Sequence, residues 1–125
     1  MIQELVLSKL GHTWILDLDG TIVKHNGYKI DGYDTLLPGV LRFLECIPHD
    51  DMVVFITSRE IRFREQTEEF LKSNHIHYDY IIYEAPYGER ILINDNKPSG
   101  LSMSKAVALQ RNQGIDLRVR IDEKL

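Results

Sequence analysis

The stretch Thr13-Trp14-Ile15-Leu16-Asp17-Leu18-Asp19-Gly20-Thr21 decides how this chain is read. Thr13–Leu18, TWILDL, is an apolar run of strand length, and Asp19-Gly20 ends it with a turn signal. Side chains alternate along an extended segment, so acids at i and i+2 point the same way. Asp17 and Asp19 are therefore expected as an acidic pair at a strand end. Such a pair repels itself unless a cation or a shared proton relieves it. Gly20 lets the backbone approach a ligand closely.

Working outward, short apolar runs alternate with amphipathic ones, the pattern of an α/β fold with a mostly parallel sheet. Val23–Thr35, rich in Gly, Asn and Asp, reads as a hairpin or loop over the sheet end, a flap at about 23–35. Pro38 suits a first helical position, Val40, Leu41, Phe43, Leu44 and Ile47 have helical spacing, and Pro48 closes that helix. Met52–Ile56, MVVFI, is uninterrupted, as in a strand buried on both faces. A helix is expected from about Glu60 to Ser73. Further strands are expected at Tyr80–Tyr83, Ile91–Ile93, Ala106–Leu109 and, as an edge, Leu117–Ile121. The first ten residues read equally as strand or helix.

Three polar clusters follow apolar strands directly: Asp17 to Thr21, Thr57-Ser58-Arg59, and Asn94-Asp95-Asn96-Lys97. In an open parallel sheet ligands bind at the carboxyl ends of the strands, so the three clusters are expected to converge. Mg²⁺ prefers a few carboxylates with water and phosphate oxygens, which suits Asp17 and Asp19 with Asp95 nearby. A carboxylate also attacks phosphorus to form an acyl-phosphate, and that chemistry needs a separate acid/base, so the pair supplies two groups. Ser58 doubles as a helix cap before Glu60. Arg59 reads first as a structural or solvated residue and second as a substrate-phosphate contact. Tyr28 and Tyr33 in the flap either touch substrate or pack the loop on the body. The five histidines have no ligand spacing, and His75 and His77, with no carboxylate or Cys beside them, read as surface residues leading into a strand.

Asp17-Leu18-Asp19-Gly20-Thr21 resembles the first motif of the haloacid dehalogenase superfamily of phosphatases, and the later clusters follow in that family's order. The resemblance implies a three-layer Rossmann-like core over residues 1–125. It implies Asp17 as nucleophile and metal ligand, and Asp19 as acid/base with its carbonyl on Mg²⁺. It implies Thr57 on the transferring phosphoryl group and Asp95 on the metal, with Gly20, Thr21, Ser58, Arg59 and Tyr28 as the substrate-side set. The fourth motif is commonly two adjacent acids, whereas Asn94 and Asn96 flank Asp95 here. The family's positive charge beside the phosphate falls to Arg90 or Lys97. Arg90 lies five positions before Asp95, about 16 Å back along an extended strand, so the expectation favours Lys97.

Neither residues 20–56 nor residues 58–94 leave room for a cap domain, so the chain resembles the capless type. Ala85–Gly100 is similar to relatives linked to sugar phosphates of surface polysaccharide synthesis. The expected substrate is a small phosphorylated sugar or polyol, with the flap or a neighbouring subunit of a homo-oligomer covering the site. The alternatives are a phosphatase acting on a protein or a nucleic-acid end, a non-catalytic phospho-ligand module, and a receiver-like module. The receiver order of residues does not fit, because Met52–Ile56 ends in Thr57 rather than Asp.

Composition sets the outer bounds. With 125 residues, 43% hydrophobic and 27% charged, the chain suits one folded domain. A formal net charge of −4 argues against a general nucleic-acid binder, leaving room for a basic pocket. The single Cys46 excludes an internal disulfide. No signal-peptide pattern opens the chain and no run of about 18 apolar residues exists, so no membrane partner and a cytoplasmic location are expected.

Overall fold

Val, Ile, Phe and Trp dominate the two runs that form the centre of the protein, and both are strands in the computed structural model, which describes residues 3–125. The elements are β1 (Gln3–Leu7), β2 (Thr13–Asp17), α1 (Gly27–Ile30), α2 (Val40–Glu45), β3 (Met52–Ile56), α3 (Arg64–Ser73), β4 (Tyr80–Ile82) and β5 (Leu117–Ile121). A 3₁₀ turn at Ile61–Phe63 leads into α3. Two parallel sheets result, one ordered β2-β3-β4 and the other β1-β5. The fold is thus α/β with parallel strands. No described helix is long and apolar enough to cross a membrane. Of the ambiguous first ten residues, Gln3–Leu7 is a strand, and positions 1 and 2 lie outside the described residues.

Register explains the core. Asp17 stands opposite Ile56, and Phe55 opposite both Leu16 and Ile81. Val53 and Phe55 point to one face, where they join Leu18, Ile22, Val40 of α2, Leu71 of α3 and Ile115, with Trp14 and Leu16 packed alongside. The opposite face carries Ile15, Met52, Tyr80 and Ile82, all exposed. MVVFI is therefore buried on one face more than on the other, contrary to the expectation for that run.

Helix α3 runs as the alternation of Phe70 and Leu71 with charges requires, with Glu65 in its first turn, Lys72 in its last, and an Arg64–Glu68 pair one turn apart. The chain then returns to α2. Ile115 N–H donates to the Pro38 carbonyl at 3.0 Å, and Gly114, with φ 85°, lies so close that a Cβ there would collide with that carbonyl. This contact holds the turn at 110–113 beside the β2 end.

Two expected strands are absent. Ile91–Ile93 and Ala106–Leu109 lie in irregular chain, with Ile91 82% and Ile93 91% exposed. Short apolar runs become strands only where an edge pairs with them, and among the described residues neither run pairs.

Candidate active site at the end of strand β2

Asp17 is the last residue of β2, and its carboxylate stays near the surface. Its Oδ2 accepts from Thr21 Oγ1 at 3.2 Å and its Oδ1 from Arg90 Nη1 at 3.2 Å. The Asp17 and Arg90 side chains are 34% and 35% exposed, so the pair is open to a ligand. Leu18 drops into the core, and a tight turn follows in which Gly20, with φ 87°, donates to the Val23 carbonyl at 2.7 Å.

Asp19 faces inward. Arg59, buried behind it, grips it with Nε to Oδ2 and Nη2 to Oδ1, both at 3.0 Å. The same guanidinium binds Asp34 through Nη1 at 3.0 Å and Nη2 at 2.6 Å, and Nη1 also donates to Thr67 Oγ1 at 3.0 Å. A guanidinium has five N–H donors, and these five bonds use all of them. The Tyr28 ring lies 4.0 Å from the Arg59 Cζ and edge-on to Phe63 at 4.9 Å. Burial alone favours loss of the Arg59 charge, but its hydrogen bonds to Asp34 and Asp19 outweigh it and raise its pKa above the usual arginine value. Burial first, and then the Asp19 charge, push the Tyr28 phenol up.

This arrangement corrects the expected substrate-side set. Arg59 has no donor left for a phosphate, because Asp19 and Asp34 consume its fork. Tyr28 is 7% exposed and packs the 23–35 loop down instead of reaching out. The loop is a pinned segment holding α1, closed by the Lys24 N–H to Thr35 carbonyl bond at 2.9 Å and by Asp34. Thr57 is fully buried, and its Oγ1 accepts from the Arg59 N–H at 3.1 Å, so it caps the β3 end away from the surface. Ser58 Oγ donates to the Pro86 carbonyl at 3.4 Å. Gly20 and Thr21 do lie beside Asp17.

The choice of Lys97 over Arg90 is also corrected. That argument assumed an extended strand through Ile91–Ile93; the segment is irregular, and it brings Arg90 rather than Lys97 to Asp17. Lys97 and Asp95 are exposed, and neither makes an ion pair among the described residues. No three His, Cys, Asp or Glu side chains among the described residues lie close enough to hold a metal ion, so Asp95 does not join Asp17 and Asp19 in a cluster. Two clefts of about 750 and 580 Å³ run along α3 and β4, and neither is lined by Asp17 or Asp19.

Asp34, Thr67 and Arg111 were not singled out in the sequence. Asp34 sits in a loop of turn-forming residues, where an acid is unremarkable until an arginine is found against it. His75 and His77 are exposed, whereas His12 bonds through Nδ1 to Asp51 at 2.9 Å and the Nδ1 of His25 is buried.

No family model and no curated protein matches the chain. Two solved structures resemble it, both at a TM-score of 0.52. One is a Pnkp1/Rnl/Hen1 complex, with 29% identity over 66% of this chain and 31% of that chain. The other is the Pnkp1/Rnl/Hen1 RNA repair complex, with 30% identity over 65% of this chain and 28% of that chain. The chain therefore spans about a third of the length of the chains it resembles. A likeness to chains of an RNA repair assembly overturns two expectations: a small sugar or polyol phosphate as substrate, and the exclusion of nucleic acid as partner. Net charge averages the whole surface, so it does not exclude a site at which a few local cations meet a nucleic-acid end.

Proposed function

We propose that the chain is a phosphatase module of the haloacid dehalogenase type that removes a terminal phosphate from a nucleic-acid end, RNA in the first instance. The observation that carries the chemistry is the division of labour between two adjacent acids. Asp17 is open and faces the partly exposed charge of Arg90, while Asp19 is locked in place by Arg59. The substrate class is supported by the likeness to the RNA repair complex chains. The parallel β2-β3-β4 order supports a Rossmann-like three-layer core as part of the same reading.

In this mechanism Asp19 first takes a proton from solvent on a lone pair that Arg59 leaves free; an Asp17 oxygen then attacks phosphorus, the bond from phosphorus to the nucleic-acid oxygen breaks, and Asp19 gives that proton to the leaving oxygen. Asp19 then takes a proton from water as the water oxygen attacks phosphorus, the Asp17–phosphorus bond breaks, and phosphate leaves. Each Asp19 oxygen keeps a free lone pair beside its bond to Arg59, so the grip orients the carboxylate without occupying it. Arg90 moves from the Asp17 carboxylate to the phosphoryl oxygens, where charge accumulates. The residues that would hold Mg²⁺ are the Asp17 carboxylate and the Asp19 main-chain carbonyl, which takes no part in the loop's backbone bonds, a smaller donor set than the sequence suggested. When bound, the ion offsets the negative charge between carboxylate and phosphate.

The test is release of inorganic phosphate from oligoribonucleotides carrying a 3′- or 5′-terminal phosphate. Asp17→Asn is expected to abolish release while circular dichroism is unchanged, and excess chelator to stop it. Retention of a tenth or more of the wild-type rate by Asp17→Asn removes the covalent mechanism. Full activity in chelator removes the ion.

A further inference from the structure

One cation at the site has no role in this scheme. The turn at 110–113 is fastened to the acidic loop by two bonds: the Asn112 N–H donates to the Gly20 carbonyl at 2.9 Å, and the His25 N–H donates to Asn112 Oδ1 at 2.8 Å. Asn112 takes a left-handed conformation, φ 65°, to make both. The fastening lays the neighbouring Arg111 along Gly20. A Cβ built on that glycine would stand 3.0 Å from Arg111 Cγ and 3.6 Å from its Nε. Arg111 is exposed, and among the described residues it makes no ion pair, although the chain carries 19 acids against 15 Lys and Arg. Arg90 and Arg59 already answer Asp17 and Asp19. Arg111 is thus a held, unneutralised guanidinium at the rim of the site, reached from a segment remote in sequence.

We propose that Arg111 binds a second, non-scissile phosphate of the substrate and so selects a polynucleotide end over a small phosphate ester. The inference rests on the reading of the site as one acting on RNA ends. A small ester has a single phosphate, which Arg90 meets; a polynucleotide adds a phosphodiester next to the terminal phosphate. Guanidinium forks suit phosphate oxygens, and Arg111 has all its donors free for one. The side chain has no Cβ to displace it at Gly20, which ties its placement to that glycine.

The experiment measures binding of a short single-stranded, fluorescein-labelled oligoribonucleotide with a terminal phosphate to Asp17→Asn protein, by anisotropy across a salt series. Adding Arg111→Ala is expected to weaken binding about tenfold and to lower the slope of log K against log[salt] by about 0.7, the value for one phosphate contact on a single strand. Arg111→Lys is expected to keep the slope and lose part of the affinity. In otherwise wild-type protein, Arg111→Ala is expected to cost at least tenfold more in kcat/KM on the phosphorylated oligonucleotide than on a chromogenic phosphate ester. Unchanged affinity and slope overturn the inference, as does an equal loss on both substrates or no binding of the oligonucleotide by the Asp17→Asn protein. If wild-type protein releases no phosphate while the Arg111-dependent salt slope is present, the phosphatase reading fails and the binding role of Arg111 stands.

Discussion

Arginine at two positions illustrates how one residue type is put to two uses by its surroundings. Arg59 is structural: it neutralises Asp19 and Asp34 in a buried cluster, and lysine cannot reproduce its planar five-donor fork. Arg59→Lys is therefore expected to destabilise the protein by about 3 kcal/mol, the low end for breaking a buried ion pair, measured by urea unfolding. Arg90 is different. Its exposed pair with Asp17 adds little to stability, yet it holds positive charge where a phosphoryl group would sit. Arg90→Ala is expected to leave the unfolding midpoint unchanged and to reduce kcat on a phosphorylated oligonucleotide by about a hundredfold, against less than twofold for Lys97→Ala. The reverse pattern would restore Lys97 as the cation at the phosphate.

At the scale of elements, the starts of β2 and β3 are fastened by one buried acid. Asp51, just ahead of β3, accepts from the His12 main-chain N–H at 3.1 Å, His12 Nδ1 at 2.9 Å and Trp14 Nε1 at 2.9 Å. Burial pushes the Asp51 carboxyl up, but the Trp14 and His12 bonds outweigh it and hold the pKa below the usual carboxylate value. A depressed folded-state pKa contributes stability that is present above the unfolded value and lost as pH falls through the folded one. Asp51→Asn is thus expected to lower stability by about 1–3 kcal/mol at neutral pH. The gap between the two proteins should narrow progressively below about pH 4. Thermal unfolding followed by circular dichroism from neutral to acid pH reads both effects; a gap independent of pH would show that Asp51 acts by packing alone.

At the scale of the molecule, the two faces of the β2-β3-β4 sheet differ. Phe55 is fully buried among Val53, Leu71 and Val40, whereas Ile15, on the opposite face of the neighbouring strand, is 54% exposed. Phe55→Ala is expected to cost about 3–5 kcal/mol, and Ile15→Ala less than about 1 kcal/mol, by denaturant titration. Similar losses at both positions would mean that the second face is also covered in solution, as parallel sheets generally require.

The strand ends were legible in the sequence because local signals agree there. Thr13–Asp17 and Met52–Ile56 are apolar, β-branched and bounded by turn formers. Alternation along a strand put both acids on one side, but β2 ends at Asp17, so Asp19 stands in the following turn and faces inward to Arg59. The helix ending at Ser73 was legible for the same reason. The use made of each side chain was not. Arg59 could be assigned only once Asp19 and Asp34, 40 and 25 residues away, were seen to converge on it. The position of Arg90 depended on whether Ile91–Ile93 finds a strand edge, and such pairing is a property of neighbours rather than of the run itself. Arg111 reached the site through a backbone bond between Asn112 and Gly20, which carries no side-chain signature at all. Sequence thus determined that Asp17 stands at a strand end, because periodicity and turn chemistry are local. Tertiary structure decided which cation each acid meets, because ion pairing depends on distances between segments that the chain brings together only when it folds.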